Sequence, residues 1–212
     1  MRIPLILLAA TAAIATPLIA QQAMQAPGTK STAAITGGTY SADPNHTLVS
    51  WEVNHLGFTP YFGLFGDISG TLTLDPKNPA ASKVDITIPV SKVTTASAGL
   101  TAHMLRAGKD GGKPDFFGPA PADAKFVSTS VKPLGRDKAT VVGNLTLNGI
   151  TKPVTLAVTF YGAGKMPAQM GGKENVGFEA TTTLMRSDFG VDMGIPMVSD
   201  AVKLKIAAAF QK

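Results

Sequence analysis

The stretch "VVGNLTLNGITKPVTLAVTF", residues 141–160, alternates apolar and polar residues on both sides of Asn148 and Gly149. A period of two is typical of a β-strand with one buried face. Asn-Gly between two such runs is the strongest short signal of a hairpin, because both central residues of a type I′ turn need positive φ. The stretch therefore predicts two antiparallel strands joined by a tight turn.

The same alternation continues on both sides of this hairpin. Eight strands are predicted, at residues 49–53, 68–74, 84–90, 127–131, 141–147, 154–160, 176–184 and 202–210. An open sheet of this size would leave two bare edges and an uncovered apolar face, and closing it into a barrel removes both problems. We therefore predict an all-β fold, an eight-stranded antiparallel barrel. A β-sandwich is the alternative.

One segment of the chain has a helical pattern. It covers residues 97–108, with Ser97 as the N-cap and Gly108 as the stop. We expect a single short helical excursion from the barrel, which is too small to cover an open sheet.

The N-terminal residues differ from the rest. Residues 1–20 combine one basic residue, Arg2, with an apolar run and a small residue at Ala20, which is typical of a secretory signal peptide. An uncleaved membrane anchor is the alternative. Residues 21–38 lack periodicity and are predicted to be a flexible leader, and residues 39–212 form one barrel domain.

The composition indicates the cellular compartment of the protein and limits the kinds of partner it can have. The chain has no cysteine, so disulfides and thiolate chemistry are excluded, and the periplasm of a bacterium fits an exported chain of this kind best. The net charge is +5, but the basic residues are scattered singly. We therefore expect no nucleic-acid partner and only transient contact with an anionic membrane surface. The sequence leaves a homodimer open.

The histidines give weak evidence for catalysis. His46 and His55 are nine residues apart and His103 stands alone on the predicted helix, so no pair has the spacing of metal ligands. We predict neither a metal nor a cofactor. Arg186 and Asp188, two residues apart, are predicted to form a structural ion pair. An enzyme acting on an apolar substrate through His55 or His103 remains one alternative.

An unusual connector follows the first predicted strand. Residues 51–70, "WEVNHLGFTPYFGLFGDISG", begin as a strand and then stop alternating, and four aromatic residues lie in the glycine-rich part. We expect these aromatics to line the mouth of a ligand-binding barrel, with a plug at one barrel end as the alternative. Phe65 and Ile68 are three apart, so a bulge near Gly66 is needed to turn both inward.

Seven motifs in order resemble the YceI-like family of periplasmic polyisoprenoid-binding proteins. They are "DPNH" at residues 43–46, "VNHLGF" at 53–58, Gly63-x-Phe65-x-x-Ile68-x-Gly70, His103-x-Leu105-Arg106, "DFF" at 115–117, "GNLTLNGITKPV" at 143–154 and "RSDFGV" at 186–191. The resemblance covers about residues 40–210. Two departures stand out, the inserted "GKDGGK" at residues 108–113 and Gly118, where an acidic residue is common in the family.

The resemblance implies a lipocalin-like barrel that encloses a long isoprenoid chain, such as a quinone tail or a polyprenyl phosphate, and sequesters or transports it without catalysis. A stress-protective structural protein with a filled core is a second alternative. Thirteen residues are predicted to contact the lipid: Trp51, Val53, His55, Phe58, Tyr61, Phe62, Phe65, Ile68, His103, Phe116, Phe117, Phe178 and Arg186.

Overall fold

The computed structural model describes residues 25–212, so the predicted signal peptide lies outside the described residues. The strands are β1 (Gly38–Ala42), β2 (Leu48–His55), β3 (Thr59–Phe65), β4 (Ser69–Leu74), β5 (Lys83–Ile88), β6 (Thr94–Thr95), β7 (Ala124–Pro133), β8 (Lys138–Leu147), β9 (Ile150–Lys165), β10 (Glu174–Met185) and β11 (Ala201–Gln211). The α-helix is α1 (Ala98–Met104), and 3₁₀ turns occur at Pro79–Ala81, Val90–Lys92, Lys109–Gly111, Ala168–Met170 and Arg186–Phe189. Within the described range, no helix has the length and apolar character needed to span a membrane.

Strand β11 closes the sheet into a barrel. Its whole length pairs with β10 on one edge, and its end, Phe210 and Gln211, pairs with β1 on the other. The closed ring has the order β1-β4-β5-β7-β8-β9-β10-β11, with antiparallel neighbours throughout. The predicted eight-stranded antiparallel barrel is therefore confirmed.

Three more strands extend the wall beyond the ring. β2 pairs with the beginning of β11, at Lys203–Ala207, so β1 and β2 follow each other along one edge of β11. β3 pairs with β2, and β6 pairs with β3. At three positions around the barrel the wall is thus formed by two strands in succession. These pairs are β1 and β2, β4 and β3, and β5 and β6.

The two ends of the barrel differ in what covers them. The end that carries α1, His55 and Met193 is called the helical end below, and the end that carries Gly38 and Glu174 is called the leader end. At the helical end β6 is the last strand of the order. The helix α1 follows it directly and covers this side.

The described part of the predicted leader, residues 25–37, packs against the leader end. Ile35 is 8% exposed and belongs to the same core cluster as Tyr40. The Glu174 carboxylate accepts hydrogen bonds from the Thr36 amide at 2.8 Å and the Tyr40 hydroxyl at 2.7 Å, and these bonds lower the pKa of Glu174 to about 2. The Glu174 carboxylate on β10 therefore holds the end of the leader segment in place. The boundary of the leader stays a prediction.

The expected connector within residues 51–70 is wrong for residues 59–65, which form β3. This strand pairs with β2 in regular register, with Tyr61 opposite Val53 and Gly63 opposite Trp51. Its alternation is hidden in the sequence because Gly63, at an inward position, has no side chain. The space it leaves is filled by the Trp51 indole, since a Cβ on Gly63 would lie 2.1 Å from Cζ2 of that ring.

The hairpin at Asn148 and Gly149 has the expected geometry. Asn148 and Gly149 both have positive φ, 51° and 76°, and join β8 to β9. A Cβ on Gly149 would meet nothing within 4 Å, so any cost of a side chain there is conformational.

We expect Gly149→Val to destabilise the barrel by about 1–3 kcal/mol, because a β-branched residue is strained at positive φ. Thermal melting measures this effect. Gly28→Val is the matched control, since its φ is not in the left-handed region and its added Cβ also meets nothing within 4 Å. Equal melting temperatures for the two variants would contradict the prediction.

Candidate functional site

The barrel encloses a cavity of about 620 Å³. Its wall is formed by the inward residues of the strands, together with α1 and the segments around Phe116 and Val198. Almost all of the lining is aliphatic or aromatic. The polar or ionisable residues of the lining, apart from Tyr61 and Trp51, are Thr47, His55, Ser82, Lys83, His103, Thr182 and Arg186.

Eleven of the thirteen predicted contact residues lie in this lining. They are Trp51, Val53, His55, Tyr61, Phe65, Ile68, His103, Phe116, Phe117, Phe178 and Arg186. Their role in holding a ligand stays a prediction. The structure brings them together because successive inward residues of neighbouring strands face the same interior.

Phe58 and Phe62 lie outside the cavity, so their placement at its lining is corrected. Phe58 follows the tight turn after β2 and is 84% exposed, and Phe62 is 56% exposed. The reason for Phe62 is strand alternation, since Tyr61 and Gly63 on either side of it pair with the inward residues of β2. With Leu56 and Met197, which are also exposed, these rings leave an apolar surface at the helical end.

An aromatic row leads from the interior to the helical end. The Trp51 and Tyr61 rings are 6.4 Å apart, and the Tyr61 and His55 rings are also 6.4 Å apart. Exposure rises along this row from Trp51, which is 8% exposed, through the half-buried Tyr61 to the exposed His55. The row therefore connects the cavity to the surface.

A break between β3 and β4 turns both Phe65 and Ile68 into the cavity, as expected. The irregularity is at Asp67, which has a φ of 59°, rather than at Gly66. The backbone reversal at one residue restores the inward direction after an odd number of residues. Ile68 is 1% exposed as a result.

Polar contacts hold the helix α1 in place over the barrel. Ser97 caps α1 as predicted, since its hydroxyl oxygen accepts from the Leu100 amide at 3.2 Å, but the helix ends at Met104 rather than near Gly108. Nε2 of His103 lies 2.6 Å from a carboxylate oxygen of Asp115. The contacts of His103 and Arg106 hold the pKa of Asp115 below its usual range. His103 therefore ties α1 to the segment that carries Phe116 and Phe117.

Arg186 organises the loop that closes the helical end. Its guanidinium donates four hydrogen bonds of 2.9 Å, from Nε to the Ser199 carbonyl, from Nη1 to those of Val191 and Met193, and from Nη2 to that of Val198. The side chain is 8% exposed. Because Met193 and Val198 line the cavity, Arg186 determines the shape of this end of the site.

The predicted ion pair between Arg186 and Asp188 is wrong. Asp188 instead lies 3.5 Å from Lys152 on the outer surface. Residues 186–189 form a 3₁₀ turn rather than a strand, so side chains two apart do not share a face. Burial lowers the pKa of Arg186, and the charges of Asp200 and Asp192 oppose this shift.

The inserted segment, residues 108–113, reaches the same loop. The Lys113 ammonium lies 3.0 Å from Asp192, which follows the Arg186-bound Val191. Both side chains are more than half exposed, so this ion pair contributes little stability. It nevertheless connects the cover of α1 to the closing loop.

Several lining residues were missed from the sequence. The inward residues of β7 to β11, such as Phe126 and Leu204, carry the alternation signal and could have been added from it. Leu100 and Met104 on α1 face inward at helical spacing. Met193 and Val198 had no signal, because their position depends on the hydrogen bonds of Arg186.

Two of the three histidines form a local pair with an aspartate. His46 contacts Asp43 at 2.6 Å, and His103 contacts Asp115, so each is part of a local pair. Within residues 25–212, no group of three or more His, Asp or Glu side chains is arranged to hold a metal ion.

Sequence comparisons find close relatives. Residues 40–210 match the family model described as the YceI-like domain. A UPF0312 protein of Ectopseudomonas mendocina strain ymp is 39% identical to this chain over 160 residues, which cover 75% of this chain and 78% of that protein.

Solved structures with the same fold agree. BcnA of Burkholderia cenocepacia has a TM-score of 0.62 and 26% identity, over 79% of this chain and 98% of BcnA. A domain from Saccharophagus degradans, described as a polyisoprenoid binding domain implicated in plant cell wall breakdown, has a TM-score of 0.58. It covers 81% of this chain and 97% of that domain at 14% identity, which supports the fold.

We expect Arg186→Met to lower stability by at least ~2 kcal/mol, because it leaves buried carbonyl groups without donors. The stability of Arg186→Lys should lie between those of the wild type and Arg186→Met, since a lysine ammonium has three donors but no planar fork. Chemical denaturation measures both. The control is Lys152→Met, which removes an exposed ion pair and should cost less than ~1 kcal/mol. An Arg186→Met variant as stable as this control would contradict the role of Arg186.

Proposed function

The chain belongs to the YceI-like family, and from that membership and the cavity of its barrel we propose that it binds a long-chain isoprenoid lipid, of quinone or polyprenyl phosphate type, without transforming it. The observation that carries the proposal is the apolar cavity of about 620 Å³. This volume lies within the ~300–1,000 Å³ range of small-molecule sites. The polyisoprenoid binding described for the Saccharophagus degradans domain supports the same ligand class.

The size of the cavity fits a chain of moderate length. If each carbon of the chain takes about the ~30 Å³ that a water molecule occupies in the liquid, the cavity holds roughly twenty carbons. Burying them at ~0.8 kcal/mol each gives about 16 kcal/mol, against an association cost of ~4–15 kcal/mol. The burial of about four isoprene units therefore outweighs the association cost by a wide margin only at the low end of that range.

The lining favours containment over reaction. A filled core, as the structural alternative requires, does not agree with an interior space of this size. The lining is almost entirely apolar, and containment, unlike catalysis, needs no polar group aimed at a reacting atom. We therefore favour a binding protein over both alternatives.

We further propose that the protein acts as a carrier in the bacterial periplasm. The signal peptide predicted at residues 1–20 and the absence of cysteine support this location. A water-insoluble tail needs a container to cross an aqueous compartment, and a closed barrel is such a container.

Blocking the cavity should abolish lipid binding. Ala180 faces the cavity from the middle of β10 and is 5% exposed, so Ala180→Phe places a ring in the space of the ligand. We expect at least a tenfold loss of affinity for a fluorescent isoprenoid analogue added to delipidated protein. The quenching of Trp51, which is the only tryptophan of the chain and lines the cavity, reports binding.

The matched control is Thr181→Phe, which adds the same ring at the exposed neighbouring position. It should bind like the wild type. If Ala180→Phe and Thr181→Phe bind equally well, the ligand does not occupy the barrel and the proposed function is wrong. Thermal melting of both variants separates lost binding from lost folding.

The exposed apolar surface of Leu56, Phe58, Phe62 and Met197 favours ligand exchange with a membrane at the helical end. Leu56 and Phe58 lie in the turn after His55, which is an exposed residue of the cavity lining, and the Leu56 amide donates to the Met197 carbonyl at 2.8 Å. The opposite end is packed by the cluster that includes Ile35 and Tyr40. We therefore place the entrance at the helical end.

We expect Phe58→Ser to slow transfer of the isoprenoid analogue from vesicles severalfold, while its affinity for the delipidated protein in solution stays unchanged. Stopped-flow fluorescence measures the transfer rate. Tyr161→Ser is the control, because Tyr161 is 73% exposed at the leader end. Equal rates in both variants, or a shift from dimer to monomer caused by Phe58→Ser, would show that this surface does not contact the membrane.

A further inference from the structure

The cavity lining is exposed at both ends of the barrel. At the helical end, His55 and Met193 are exposed residues of the lining. At the leader end, Pro79 and Lys83 are exposed residues of the same lining. Lys83 lies at this end because β5 begins there, beside the part of β4 that pairs with Gly38. The cavity therefore approaches the surface at a second place, opposite the proposed entrance.

The wall is split between β5 and β7 at this second place. The two strands pair along Asp85–Ile88, and β7 then continues to Pro133 paired with β8. Where the ladder between β5 and β7 would continue, the Val84 amide donates to the Ser128 hydroxyl at 2.9 Å instead. The register of β7 with β8 also shifts between Ser128 and Ser130, and such bulges bend a strand. The ladder between β5 and β7 therefore does not extend beyond Val84.

The connection between β4 and β5, residues 75–82, covers this split and is called the flap below. Its 3₁₀ turn, Pro79–Ala81, lies beside β7, and all three residues of the turn are exposed. The Asp75 carboxylate accepts from the Lys77 amide at 2.9 Å, and the Asp75 amide donates to the Ser82 hydroxyl at 3.1 Å. Among the residues that the structure describes, no hydrogen bond joins the flap to β7 or β8. Displacing the flap from β7 therefore costs packing contacts but no hydrogen bond.

An apolar path runs beneath the flap. The apolar residues that line the cavity here are Leu74, Val84, Val131 and Ala139. Ala139 pairs with Pro133, the last residue of β7, and the next residue, Leu134, is 50% exposed. On the other side of the leader end, the cluster of Ile35 and Tyr40 packs the interior. The leader end is therefore closed beside β1 and β10, and it is covered by the flap alone beside β5 and β7.

The volume of the cavity gives this path a use. At ~30 Å³ for each carbon, about 620 Å³ holds roughly twenty carbons. A longer chain has to fold back to the helical end or leave the barrel elsewhere. A chain that enters at the helical end and follows the strands reaches the flap without reversing its direction.

We propose that the flap covers a second opening of the barrel, through which the far end of an isoprenoid chain longer than about twenty carbons leaves the cavity. This inference rests on the proposed function and concerns the length of its ligand. The barrel then selects an apolar chain but sets no upper limit to its length. The part of the chain that emerges lies beside the β7–β8 hairpin and the exposed Leu134.

The test locates the far end of a bound chain in the wild-type protein. The probe is octaprenol with a nitroxide spin label on the carbon farthest from its hydroxyl group, and its paramagnetism broadens the amide signals of nearby residues. We expect broadening of the signals of Lys77, Asn78 and Leu134, and unchanged signals for Leu56 and Gly57 at the helical end. Unlabelled octaprenol gives the reference spectrum, and this arm does not depend on the folding of a variant.

A second arm closes the path from inside. Ala139→Phe places a ring in the lining beneath the flap, and the broadening should move from the flap to Leu56 and Gly57. The matched control is Ala157→Phe, which makes the same change at an exposed position of β9. In this control the broadening should stay at the flap.

The outcomes separate this inference from the proposed function. Broadening at the helical end of the wild-type protein, alone or together with the flap, overturns the second opening and leaves isoprenoid binding intact. Binding of unlabelled geranylgeraniol without binding of unlabelled octaprenol shows an upper limit to chain length and also overturns it. Binding of neither alcohol to the wild-type protein contradicts the proposed function and the inference together.

Discussion

The pairing of β11 on both edges is the constraint on which the rest of the structure depends. One edge bonds to β10 from Ala201 to Gln211, and the other bonds first to β2 and then to β1. Closure removes the free edges that an open sheet would expose. It also makes the inward residues of all strands face one enclosed space. Their side chains do not fill this space completely.

That space has to be stabilised from its ends. The leader end is packed by Ile35 and Tyr40 and fastened by the contacts of Glu174. The helical end is shaped by Arg186, which holds the closing loop through backbone carbonyls, and by His103, which anchors α1. Arg186 and His103 thus bond to the protein around the cavity, and the lining of the cavity stays almost entirely apolar.

The barrel was predictable from the sequence because alternation is local information. The alternation on both sides of Asn148 and Gly149 identifies the inward residues of these two strands directly. The same pattern identifies most residues of the cavity wall. β3 was missed because Gly63 interrupts the pattern, and its partner Trp51 fills the gap only in three dimensions. Phe58 and Phe62 were misplaced because aromatic character alone does not tell an inward residue from an exposed one. The loop of Met193 and Val198 could not be found, because it depends on long-range bonds of one arginine.

We propose above all that the barrel is a container for a long apolar molecule. The most direct measurement is mass spectrometry of the organic extract from protein purified from its native host, with the extracted amount compared with the amount of protein. We expect one isoprenoid lipid in near-stoichiometric amount, retained by the wild-type barrel. An extract without such a lipid, from protein whose cavity is shown to be accessible, would contradict it.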